Sequence, residues 1–62
     1  MKHTEAEYIR AGFKFERASS PQASTAQAYT IRAMLASESP EDQTEARRLI
    51  EQGRQEARQC SR

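Results

Sequence analysis

His3 and Cys60 are the only side chains of this 62-residue chain with soft-metal or strong-nucleophile chemistry, and they stand at opposite ends. A metal site built on them needs ligands from another chain. A cysteine–histidine nucleophile needs a third, orienting group and a pocket. Carboxylates pair at Glu5/Glu7, Glu41/Asp42 and Glu41/Glu45. General acid–base chemistry requires a desolvated pocket that drives two pKa values apart. Few large apolar side chains are present to build one, so these acids read as helix-start charges. The two glycines, Gly12 and Gly53, are too far apart for a phosphate-cradling loop. The expectation is a chain that is not an enzyme, with no cofactor, no metal and no small-molecule substrate.

Arginine offers a second kind of chemistry. Arg47, Arg54 and Arg58 recur at spacings of seven and four, with Arg62 just beyond, so on a helix they share a face. The planar guanidinium donates parallel hydrogen bonds to phosphate, and such a face could follow a nucleic-acid backbone. Glu51 interrupts the row and Glu45 and Glu56 dilute it, which fits an ordinary solvated face. A helix-turn-helix reading would use Gln22, Ser24 and Gln27 at the start of the middle segment. That segment is too long and too apolar to lie exposed in a groove.

Aromatic residues form a third group. Tyr8, Phe13 and Phe15 alternate with Arg10, Lys14 and Arg17, a pattern that could stack single-stranded bases. More commonly such rings anchor a core or the centre of an interface. Phe13 and Phe15 are about 200° apart on a helix. Phe13, four residues after Ile9, is expected inside; Phe15 is expected to meet a second surface.

Three helices must position these residues. Thr4-Glu5-Ala6-Glu7 is a capping box, and the Ser20-Pro21 and Ser39-Pro40 steps each place a cap before a first-turn proline. The spacing predicts helices over about 5–18, 21–37 and 40–59, with residues 1–3 and 60–62 frayed. On the last helix Ala46, Leu49, Ile50, Gly53, Ala57 and Cys60 make one stripe, with Cys60 read as a small buried hydrophobe. The middle helix carries Arg32 as its one charge and is apolar nearly all round, the mark of a buried central element. Gly12 and Gly53 fall mid-helix, where glycine costs ~1 kcal/mol against alanine. Close approach of another helix would offset that cost. The fold class is all-α, a small antiparallel three-helix array in one domain.

Composition limits what such an array can do alone. The hydrophobic class is 35%, but Ala supplies ten of those residues, and Leu, Ile, Val and Phe together number seven. So thin a core calls for a staple, and one cysteine provides neither a disulfide nor a metal site. Self-association is the remaining means, with a dimer favoured. A net charge of +1 gives no global attraction to nucleic acid or membrane. No apolar run reaches a membrane span, no signal peptide is expected after Met1-Lys2-His3, and the single cysteine suits the cytoplasm.

The expected function is therefore a non-enzymatic helical interaction protein, an adaptor or modulator that docks on a protein partner or on itself. It belongs to the size class of bacterial, phage and plasmid accessory proteins. Its expected interface residues are Phe15, Tyr29, Ile31 and Leu35. The alternative is a small nucleic-acid-binding or transcription-modulating protein working through Arg47, Arg54, Arg58 and Arg62.

Overall fold

Thr4, itself extended, opens the first helix. Its Oγ1 accepts from the Glu7 N–H at 3.1 Å, and the Glu7 carboxylate accepts from the Thr4 N–H at 2.8 Å. The helix, α1, spans Glu5–Glu16. Ser20 caps α2 (Pro21–Ala36) by accepting from the Ala23 N–H at 3.1 Å. Ser39 accepts from the Asp42 N–H at 3.3 Å where α3 (Pro40–Cys60) begins. The structure, a computed structural model, describes residues 1–60. All three starts fall where the sequence puts them, because each is decided by a hydrogen bond spanning three residues.

The core lies between α1 and α3. Tyr8 is fully buried against Ala46, Leu49 and Ile50, and Ile9, Ile31, Met34 and Leu35 pack around that cluster. Further along, Gly12 meets the backbone of Ile50, and Glu16 pairs with Arg54 and Arg58. These contacts ascend both helices together, so α1 and α3 run in the same direction while α2 returns antiparallel to them. The buried residues of α3 are Ala46, Leu49, Ile50, Gly53 and Ala57, the stripe read from the sequence without its last member. Cys60 is exposed, because the stripe outruns the shorter α1 against which it packs.

Beyond Cys60, four sequence expectations require correction. The central helix is α1, not α2, which has no buried residue and packs mainly on α1. Its inward face offers Ser24 and Ala28 before Ile31 and Leu35, too little bulk to wedge two helices apart. Gly12 and Gly53 meanwhile let α1 and α3 close on each other directly. The fully buried aromatic is Tyr8, while Phe13 is half-buried; its backbone nitrogen lies against Gly53. Phe15 does not lie on an outer side: it follows Tyr8 by seven residues and falls in the crevice between α1 and α2. Finally, the first residues are tied down. The Lys2 N–H donates to both Glu38 carboxylate oxygens at 2.9 and 3.0 Å, and the His3 N–H donates to one at 3.3 Å.

Candidate docking surface

A helix with one row of modest side chains facing inward leaves its other side to solvent. On α2 the inward row is Ser24, Ala28, Ile31 and Leu35, flanked by Gln27 and Met34; all six are half-buried. Opposite it run Gln22, Ala26, Tyr29, Ala33 and Ala36, all exposed. Their spacing is four, three, four, three. None is charged, and Tyr29, at 63% exposure, is the most exposed large apolar residue described. The ring of Tyr29 stands between two shallow hollows. One is lined by Pro21, Gln22, Thr25 and Ala26. The other is lined by Phe15, Ser24, Thr25, Ala28 and Arg32.

The cations near this surface are held by their neighbours. The Arg32 guanidinium lies 5.9 Å from the centre of the Tyr29 ring, and that of Arg54 lies 5.2 Å from the centre of Phe15. Such stacking lets a charged head cover an aromatic face while staying in contact with water. Of the four residues expected at an interface, Tyr29 points outward and Phe15 lines a hollow. Ile31 and Leu35 pack against the chain's own core.

The arginine face is divided. Arg54 and Arg58 both reach Glu16, at 3.0 and 3.2 Å, and both reach Glu51, at 3.6 and 3.4 Å. The paired guanidinium groups hold the Glu16 carboxyl below its ordinary range. Arg48 grips Glu45 through two hydrogen bonds of 2.8 Å. Arg47 is exposed, and Arg62 lies outside the described residues. Two of the four arginines thus already have carboxylate partners from α1 and α3.

Sequence reasoning missed Glu38. It lies in the turn between α2 and α3 and is only 7% exposed. The Tyr8 hydroxyl donates to it at 2.5 Å, beside the backbone donors of Lys2 and His3. The His3 ring stands edge-on to Tyr8, its Nδ1 3.7 Å from the same carboxylate. The Tyr8 hydroxyl and these N–H donors bring the Glu38 pKa down to about 2, overriding its burial, and burial together with Glu38 pushes the Tyr8 hydroxyl upward. The signal lies in the charge pattern: Glu38 is the first acid after Glu16, ending a run whose one charge from Ala18 onward is Arg32. The outward row of α2 was also missed as a row, since an almost uniformly apolar helix hides which of its faces is inside.

Among the described residues no three His, Cys, Asp or Glu side chains converge as ligands for an ion. No described helix is long and apolar enough to cross a membrane. Comparison with known protein families, with curated proteins and with solved structures returns no match.

Proposed function

We propose that this chain is a non-enzymatic interaction module that docks through the outward face of α2. The observation that carries the reading is a helix of 16 residues with no buried side chain and an uncharged outer row centred on Tyr29. An exposed apolar row costs free energy in water, and covering it with a partner recovers that cost. Tyrosine suits such a position because its ring buries a large area while its hydroxyl stays hydrated. A reducing, cytoplasmic setting belongs to the same reading and is supported by the one free, exposed cysteine.

The nucleic-acid alternative is weaker because Glu16 and Glu51 already neutralise Arg54 and Arg58. Light scattering at two salt concentrations, with and without bulk DNA, separates the two. Docking through an uncharged face gives a mass that is insensitive to salt and to DNA. Growth in mass on adding DNA, reversed by salt and abolished by Arg54→Ala with Arg58→Ala, contradicts the reading.

A further inference from the structure

We propose that the outward row of α2 pairs antiparallel with the same row of a second copy, each Tyr29 seating on Ala26 of the other molecule. The inference rests on the docking reading above and supplies its partner. The spacing of four, three, four, three from Gln22 to Ala36 is the repeat by which one helix lies along another. A helix is an occupant whose own side chains keep step with that row.

Size complementarity selects which helix. Tyr29 is the one bulky ring in a row otherwise made of alanines and one glutamine, and a hollow lies beside it at Pro21, Gln22, Thr25 and Ala26. An unrelated helix would have to bring both a hole for Tyr29 and a projection for the hollow. A second α2 brings both, provided the two run antiparallel. In that register Ala26 lies opposite Tyr29, and Gln22 lies opposite Ala33, so large faces small at both central layers. A parallel pair would set Tyr29 against Tyr29.

Charge agrees with the antiparallel choice. Arg32 is the only charged residue of α2. In the antiparallel register it lies opposite Ala23, about 14 Å along the axis from its counterpart, and so beyond the screening length of ~8–10 Å at physiological salt. A parallel pair would bring the two Arg32 side chains side by side. The row is short: the helix is ~24 Å long, which puts the contact at the small end of specific interfaces. The dimer should accordingly dissociate in the micromolar range.

The test uses the whole chain with Cys60→Ser, which removes the exposed thiol. Sedimentation equilibrium should show a mass rising with concentration from 7.1 kDa towards twice that value. Tyr29→Glu alters an exposed side chain, so circular dichroism should be unchanged while association weakens by about tenfold or more. Gln22→Cys mixed with Ala33→Cys should give the mixed disulfide rapidly, and neither variant alone should link to itself at that rate. A mass fixed at 7.1 kDa into the millimolar range would overturn self-pairing and leave docking on a different protein standing. Association unaffected by Tyr29→Glu would overturn both the pairing and the assignment of docking to α2. Rapid self-linking of Gln22→Cys would overturn the antiparallel register.

Discussion

Gly12 of α1 and Gly53 of α3 are reciprocal. A Cβ on Gly12 would overlap the Ile50 carbonyl, only 2.8 Å from its carbon, and a Cβ on Gly53 would meet the Ile9 carbonyl at the same distance. Neither glycine has a positive φ, so the requirement is space and not backbone conformation. Each helix uses its glycine to let the other helix's main chain approach.

The sign of a glycine substitution is therefore diagnostic. On an exposed helix Gly→Ala should stabilise by about 1 kcal/mol. Here Gly12→Ala or Gly53→Ala must force two backbones apart, which overcomes that gain and leaves a net loss of about 1–3 kcal/mol. Thermal denaturation of the two single variants checks this, and a raised melting temperature in either would contradict the packing.

Tyr8 and Glu38 tie the first helix to the turn between the second and third. Tyr8→Phe removes a hydroxyl that donates to a buried carboxylate and should destabilise by about 1–3 kcal/mol. Glu38→Gln should also destabilise. Because the two groups bond to each other, the double variant should lose less than the two losses added. Denaturant titration of the four proteins measures the coupling.

Acid sensitivity follows from the same carboxylate. The folded Glu38 pKa of about 2 lies below its ordinary value of 4.5. Its ionised form therefore favours the fold above pH 4.5, and that contribution is lost as pH falls from there through 2. Glu7, Glu16 and Glu45 are shifted downward as well, and they act in the same direction. Melting temperature should thus fall steadily with acid, and Glu38→Gln should flatten the slope without abolishing it. A melting temperature independent of pH between 2 and 4.5 would contradict the assigned hydrogen bonds.

Helix starts offer a local check. Ser20→Ala and Ser39→Ala each remove a hydroxyl that accepts from the first turn, at a cost of roughly 1 kcal/mol apiece. The sites share no partner, so the losses should add. Melting curves of the double variant test this.

What the sequence made legible was the local part. Caps, prolines and the spacing of Ala46, Leu49, Ile50, Gly53 and Ala57 are decided within a few residues, and they located the helices and the buried face of α3. The order of packing was not legible. The apolar character of α2 suggested a central position, but what governs centrality is how closely two helices can approach. That distance depends on Gly12 and Gly53, 41 positions apart in the chain, each lying against the other helix's backbone. The surroundings of Phe13 and Phe15 are not legible for a related reason: the rotation of α1 is set by Tyr8 reaching Glu38, a contact between side chains that no periodicity contains. On the outer face, Tyr29 is exposed, and the row that contains it shows only in the structure, where Ile31 and Leu35 pack inward.

The charged face of α3 supplies the opposing expectation. If Glu16 neutralises Arg54 and Arg58, then Glu16→Gln should lower the melting temperature only slightly, since these pairs are partly exposed. It should also raise DNA binding at low salt above that of the parent chain. Fluorescence anisotropy with a labelled duplex makes the comparison.

The central claim, that α2 is the docking element, is tested most directly by following backbone amide resonances as the protein is diluted from millimolar to micromolar concentration. The account predicts that Ala26, Tyr29 and Ala33 shift together, while Arg47, Arg54 and Arg58 stay in place. Shifts confined to α3 on dilution, with α2 unmoved, would contradict it.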